Sequence, residues 1–184
     1  GGVYSAGSAI NWAKSLGLFE TYDQINQFVK SSAIERNLVF VPALTGLGCP
    51  YWDRTAGGLW IGLTLDTQPA DLMQSILEGI VFRAAEVISV MNELTSIQNE
   101  ISIDGGLSAN PYFCQFLADV LGRQIIVQSS TELTALGTAL LAGGRHIENR
   151  SRKSSFRCYS PETDKQTMLE KFKDAVTRSA QWQS

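Results

Sequence analysis

Apolar residues recur at helical spacing in several separate stretches of the chain. The longest runs from Ala70 to Leu94, where apolar positions return every three or four residues and form one continuous stripe. Shorter stretches with the same spacing predict helices over 6–16, 22–29, 111–121, 131–144 and 163–182. Ser129 and Glu132 have the spacing of a capping box for the helix over 131–144.

Short apolar runs between these helices predict strands. They cover 38–42, 59–65, 101–103 and 124–127. An intermixed order of strands and helices is typical of an α/β domain. The 184 residues contain no sequence repeat and no convincing linker, so we expect a single domain with its own core.

The overall composition is that of a globular protein, and it narrows the classes of partner. Hydrophobic residues make up 44% of the chain and charged residues 18%. The net charge of −3 argues against a nucleic-acid-binding surface. We interpret the basic stretch from Arg145 to Arg157 as a solvated loop. No apolar run approaches the ~18 residues of a membrane span, so none is predicted.

The cysteines indicate the redox compartment of the protein, and the first residues indicate whether the chain is part of a longer one. Cys49, Cys114 and Cys158 are odd in number, widely spaced and without a CxxC pair. They argue against a zinc site and a disulfide framework, and they predict a reducing, cytoplasmic compartment. The chain starts without Met and becomes helix-like almost at once, so we interpret it as a piece of a longer protein.

The stretch ISIDGGLSAN at 101–110 is the first candidate for chemistry. Its strand ends at Asp104, and Gly105 and Gly106 allow backbone angles and close approaches that a Cβ forbids. Asn110 before a proline has the pattern of a helix start. The free N–H groups of such a turn suit a phosphate or a nucleotide, but on this motif alone a purely structural turn is the preferred interpretation. Neither GxGxxG nor a P-loop is present.

A second candidate lies near the start of the chain. Small residues surround Gly7, and Asn11 lies one helical turn further on the same face. A ligand can lie on such a face beside the amide of Asn11, but close helix packing accounts for the same residues.

Several acidic residues are candidates for catalytic groups. Asp53 lies in the long loop 43–58, whose length favours a functional role, and we interpret its side chain as a turn carboxylate. On the longest helix we expect Asp71 to cap the start and Glu78 to satisfy nearby backbone groups or an arginine. His146, the single histidine, has no nucleophile implied beside it, so a catalytic triad is not predicted.

Several segments, in order along the chain, carry a family resemblance. GLWIGL (58–63) with DLMQSILE (71–78) resembles the second signature of the FGGY carbohydrate kinases. Three further segments resemble the glycerol kinases of that family in particular. They are VPALTGLGCPYWD (41–53), IDGGLSANPYFCQFLADVLG (103–122) and TELTALGTALLAG (131–143).

The resemblance implies a fold and a division of labour. The chain would be the second of two ribonuclease H-like domains of the actin-like ATPase kind, facing its own N-terminal domain across a cleft. The whole protein would bind ATP or ADP with Mg²⁺ and transfer the γ-phosphate to glycerol. Because the catalytic aspartate of the family lies in the missing part, no catalytic residue is assigned here, and the isolated chain is expected to be inactive. Kinases of this family often self-associate, so a homo-oligomer is possible.

The resemblance also turns the two candidate motifs into one nucleotide site. Gly7, Asn11, Gly106 and Asn110 match nucleotide-binding positions of the family, and Gly105 is needed for the turn. Asp104 then supports the turn rather than catalysing a reaction.

Two departures from the family pattern keep alternatives open. Asn11 stands where glycerol kinases commonly have glutamine, and Gly57 stands where an arginine is common. A sister kinase for another polyol or a pentulose is one alternative. A non-catalytic nucleotide-binding homologue is the other.

Overall fold

The structure, a computed structural model, describes residues 6–128, 133–142 and 156–182. The helices in these ranges are α1 (Ala6–Ser15), α2 (Pro69–Leu94), α3 (Pro111–Leu121), α4 (Leu133–Ala142) and α5 (Met168–Ser179). The strands are β1 (Val39–Val41), β2 (Leu59–Ile61), β3 (Glu100–Ile103), β4 (Gln124–Gln128) and β5 (Phe156–Tyr159). Two short 3₁₀ helices cover Tyr22–Ile25 and Gly106–Ala109. None of the described helices has the length and apolar character needed to cross a bilayer.

The strands form two small sheets. In the first, β1 pairs antiparallel with β2, and Phe40 lies opposite Trp60. In the second, the central strand β4 runs parallel to β3 and antiparallel to β5. The parallel pair places Ile103, the last residue of β3, opposite Val127. The carboxyl ends of β3 and β4 therefore lie at the same edge of the sheet.

Helix α2 forms the centre of the core. Gly79 lies against β1, where a Cβ would collide with the carbonyl oxygen of Phe40, so only glycine allows this approach. Phe82 stacks on Phe172 of α5 with ring centroids 5.0 Å apart and meets the edge of Phe116 of α3 at 5.5 Å. The three aromatic rings thus join α2, α3 and α5 in one apolar cluster.

Most of the elements that hydrophobic spacing predicts are present. The prediction for α3 is confirmed at both ends, with the side chain of Asn110 accepting from Phe113 N at 2.8 Å and Gly122 in the left-handed conformation at the end. The helix predicted over 131–144 is described as Leu133–Ala142. Its proposed capping box at Ser129 and Glu132 lies outside the described residues, as do His146 and most of the basic stretch.

The helix predicted over 22–29 is wrong beyond Ile25. An α-helix would need the carbonyl of Ile25 to accept from the N–H four residues on. That carbonyl instead accepts from Asn110 Nδ2 at 2.7 Å. A contact from a distant part of the chain thus ends the helix after one 3₁₀ turn.

The C-terminal region differs from prediction in two places. The last helix begins at Met168 rather than near 163, because the carboxylate of Asp119 holds the chain ahead of it. That carboxylate accepts from Glu162 N at 2.9 Å and from Thr163 Oγ1 at 2.7 Å. Strand β5 was not predicted, because most of its side chains are exposed and the usual alternation is missing.

Candidate functional site

An open cleft of about 700 Å³ is lined by residues from three separate parts of the chain. Gly7 and Asn11 line it from α1, and Gly106 and Asn110 line it from the turn between β3 and α3. The first 3₁₀ helix forms a further wall. Four of the five residues proposed from the sequence therefore lie around one cleft, and the fifth, Gly105, directly precedes Gly106.

The face of α1 that borders the cleft is open at Gly7 and exposed at Asn11. A Cβ placed on Gly7 would have no atom within 4 Å. Asn11 is exposed, and its amide makes no hydrogen bond to any residue that the structure describes. Because Ala9 and Ala13 on the opposite face are fully buried, α1 is fixed with Gly7 and Asn11 turned toward the cleft.

The glycine turn leads from β3 into the second 3₁₀ helix. Gly105 has a φ of +90°, a conformation that side chains rarely adopt, and it lies just before this helix. The geometry leaves the N–H groups of Gly106 and Leu107 without an acceptor inside the turn. A Cβ on Gly106 would meet nothing within 4 Å, so the space beside the turn is open.

Ser108 holds this turn in shape from inside the protein. It is 1% exposed, and its hydroxyl donates to the carbonyl oxygen of Gly105 at 2.7 Å. The carbonyl of Ser108 accepts from Cys114 Sγ at 3.4 Å and from Arg157 Nη2 at 3.3 Å. The turn is therefore tied to α3 and to β5, which favours a fixed shape before any ligand binds.

Asn110 has a different environment from the exposed Asn11. Its side chain is buried, and its oxygen accepts from Phe113 N while its nitrogen donates to Ile25 O. Both ends of the amide thus already have a protein partner. Asn110 joins the glycine turn and α3 to the first 3₁₀ helix, and so connects two walls of the cleft.

The wall formed by the first 3₁₀ helix was not predicted from the sequence. Tyr22, Asp23 and Asn26 all line the cleft there. Gln24 begins this helix by accepting from Glu20 N at 2.7 Å and Thr21 N at 3.2 Å. That local pattern is visible in the sequence as a helix start, but it does not show which surface the short helix faces.

The acidic candidates lie elsewhere and make structural contacts. Asp53 accepts from Thr55 N at 2.8 Å and from Gln181 N at 2.8 Å, and so joins the loop 43–58 to the end of α5. The turn interpretation of Asp53 is confirmed. The exposed carboxylate of Asp104 makes no hydrogen bond to the described residues, so no such contact supports its predicted role in the turn.

Two of the acidic residues on α2, Asp71 and Glu78, have the roles that the sequence predicts for them. Asp71 caps the helix by accepting from Gln68 N at 2.9 Å. Glu78 accepts from the backbone N–H groups of Ala33 and Ile34 rather than pairing with an arginine. Burial raises the pKa of Glu78 to about 7, because desolvation outweighs the hydrogen bonds that favour the charged form.

Comparison with known proteins identifies the class to which this fold and cleft belong. The model of the C-terminal domain of the FGGY family of carbohydrate kinases matches residues 1–144. The chain therefore belongs to the FGGY family of carbohydrate kinases, and it corresponds to the C-terminal domain.

Relatives with the name glycerol kinase match most of the chain. The glycerol kinase of Pseudothermotoga lettingae is 36% identical over 193 residues, which cover 99% of this chain and 39% of the relative. The glycerol kinase of Streptococcus pyogenes serotype M6 is 39% identical over 145 residues, or 78% of this chain and 29% of the relative. The chain thus spans about two fifths of the length of curated relatives that match it throughout.

Solved structures confirm the expected fold. Plasmodium falciparum glycerol kinase with ADP superposes with a TM-score of 0.79 at 26% identity, over 97% of this chain and 38% of that chain. Xylulose kinase from Lactobacillus acidophilus superposes with a TM-score of 0.69 at 24% identity, over 94% of this chain and 36% of that chain. This likeness supports the fold alone. The chain has the actin-like ATPase fold of these kinases.

Proposed function

We propose that the cleft binds the adenine nucleotide of a kinase, with Gly7, Asn11, Gly105, Gly106 and Asn110 as the site residues. The observation that carries this proposal is the meeting of two motifs, far apart in sequence, around one open cleft. The glycerol kinase structure that superposes on this chain contains ADP, which supports a nucleotide as the ligand.

Each part of the cleft has a distinct role in this proposal. The N–H groups of Gly106 and Leu107 donate to phosphate oxygens, for which the missing side chain of Gly106 leaves room. Gly7 lets the ligand lie directly on α1, and the exposed amide of Asn11 offers it a donor and an acceptor. Asn110 contributes by holding the walls together, since its own amide is engaged.

We further propose that the full-length protein is an ATP-dependent glycerol kinase. In this reaction the hydroxyl oxygen of glycerol attacks the γ-phosphorus, the bond to the β-phosphate oxygen breaks, and a carboxylate accepts the hydroxyl proton. Mg²⁺ bound to the nucleotide phosphates would offset their negative charge. The base and most of the glycerol site are assigned to the N-terminal domain.

An activity assay on the full-length protein tests this function. Production of ADP is followed with ATP and Mg²⁺ in the presence of glycerol, a pentulose or gluconate. We expect glycerol to be the best acceptor and the chain 1–184 alone to be inactive. Preference for a pentulose would contradict the assignment of glycerol, and turnover by the isolated chain would contradict the division between the domains.

A further inference from the structure

Glu78 is buried in the middle of α2, away from the cleft, and all of its hydrogen-bond neighbours are donors. Its Oε1 accepts from Ala33 N at 2.7 Å and from Tyr112 Oη at 2.6 Å, and its Oε2 accepts from Ile34 N at 3.0 Å. The residue is 2% exposed. Both oxygens accept hydrogen bonds here, whereas the NH₂ group of the isosteric glutamine cannot accept one.

Two of the three donors to Glu78, the N–H groups of Ala33 and Ile34, belong to a segment, residues 25–34, that lies between the first 3₁₀ helix and β1. Beyond Ile25 this segment contains no helix or strand, so side chains of α2 and α3 fix its position. The contacts, in chain order, are Ile25 O with Asn110 Nδ2 at 2.7 Å, Phe28 with the Tyr112 ring at 4.8 Å, Lys30 Nζ with Asp71 at 3.0 Å, Ser31 O with Gln74 Nε2 at 3.2 Å, and the two N–H groups on Glu78.

Segment 25–34 and the turn that leads into α3 both border the cleft. Ile25 and Asn26 line it where the segment begins. Tyr112 lies in the first turn of α3, two residues after Asn110, which also lines the cleft. The carboxylate of Glu78 holds the far end of the segment and the start of α3 at the same point. Its three hydrogen bonds and the Asn110–Ile25 bond together join segment 25–34 to α2 and to the start of α3.

We propose that Glu78 is a positioning residue for the nucleotide site: by holding segment 25–34 and Tyr112, it sets the separation of the two cleft walls. This inference rests on the proposed function of the cleft. Glu78 touches neither nucleotide nor acceptor in this account, so its loss changes the affinity for the nucleotide and not the chemical step.

Substitution Glu78→Gln in the full-length protein tests the proposal. The amide NH₂ faces at least one of the three donors, which breaks that contact and leaves a buried N–H or O–H without an acceptor. We expect the KM for ATP to rise about tenfold, the equivalent of one lost hydrogen bond. The KM for glycerol and kcat stay near their wild-type values, because the glycerol site and the base lie in the other domain.

Two further variants separate positioning from general loss of stability. Tyr112→Phe removes one donor and keeps the ring that packs on Phe28 and Phe116, so we expect a smaller rise in the KM for ATP. The matched control is Glu86→Gln. Glu86 is also 2% exposed on α2, but its contacts are Arg83 and Tyr51, which do not belong to segment 25–34.

The kinetic pattern decides the result. A residue that only supports folding would lower kcat through loss of active enzyme, with both KM values unchanged, as we expect for Glu86→Gln. An unchanged KM for ATP in Glu78→Gln would overturn the proposal. If Glu78→Gln does not fold, an unchanged KM for ATP in Tyr112→Phe would overturn it. Either result leaves the proposed function intact, because the wild type still has glycerol kinase activity. Absence of glycerol-dependent ATP consumption in the wild type would overturn the proposed function, and this inference with it.

Discussion

The side-chain nitrogen of Asn110 donates to the carbonyl oxygen of Ile25 at 2.7 Å. This bond connects the start of α3 to the end of the first 3₁₀ helix, two elements that lie far apart in the sequence. It explains both why that helix stops after one turn and why its residues face the glycine turn across the cleft. The shape of the site depends on this contact as much as on the two glycines.

Asn110→Ser separates the two contacts of the asparagine. Serine caps a helix about as well as asparagine, but it is too short to reach Ile25. The buried carbonyl loses its partner, so we expect the free energy of unfolding to fall by about 1–2 kcal/mol and ADP affinity to fall with it. Urea unfolding and ADP titration of the full-length protein measure the two effects.

Asn110→Ala is the companion variant, since it removes the cap as well. Asn110→Ala should lower the free energy of unfolding by about 1 kcal/mol more than Asn110→Ser does. Equal stability of Asn110→Ser and the wild type would show that the bond to Ile25 is energetically unimportant.

The buried ion pair between Arg83 and Glu86 anchors the loop 43–58 to α2. Arg83 Nη2 donates to Cys49 O at 2.7 Å, and Tyr51 Oη donates to Glu86 at 2.5 Å. Arg83→Met leaves the buried carboxylate of Glu86 without its cation, so we expect a loss of about 3–5 kcal/mol in the free energy of unfolding. Denaturant unfolding measures this loss.

The double variant Arg83→Met with Glu86→Leu is the control for this prediction. Removing both charges should recover a large part of the loss, because no buried charge then remains unpaired. If the double variant is as unstable as Arg83→Met alone, the effect comes from packing and not from the orphaned carboxylate.

The raised pKa of Glu78 makes stability depend on pH. Burial raises this pKa from 4.5 to about 7, so the folded state binds the proton more tightly than the unfolded state. The stabilisation is fully present below pH 4.5 and is lost as the pH rises through 7, with a total of about 3 kcal/mol.

Glu78→Gln lacks this titration and provides the reference. The free energy of unfolding of the wild type, minus that of Glu78→Gln, should therefore fall between pH 4.5 and 8. Urea unfolding at several pH values measures this difference. A constant difference across the range would show that the carboxyl is not desolvated as its position implies.

The sequence predicts those elements whose signals are local. The Asn110–Pro111 start and the Gly122 end define α3 without reference to the rest of the chain, and the apolar stripe defines α2. The glycine turn was proposed as a ligand site for the same reason. Its placement opposite Gly7 of α1 followed from the family resemblance rather than from the residues alone.

The structural features that the sequence does not predict depend on contacts between residues that lie far apart in the chain. The first 3₁₀ helix ends because of Asn110, and α5 starts late because Asp119 holds residues 162 and 163. Strand β5 forms because β4 offers it an edge, although its own residues show no alternation. The role of Asn110 as a connector of two walls was likewise invisible, because Ile25 carries no sign of it.

Titration of the full-length protein with ADP, comparing the wild type with Gly106→Val, tests the central claim most directly. The φ of Gly106 lies outside the left-handed region and its Cβ position is open, so the variant should fold with an unchanged melting temperature. Ser8→Val is the control, since Ser8 is exposed on α1 but does not line the cleft. We predict that Gly106→Val weakens ADP binding at least about tenfold while Ser8→Val binds as the wild type does. Wild-type ADP affinity in a folded Gly106→Val protein would contradict the assignment of this cleft as the nucleotide site.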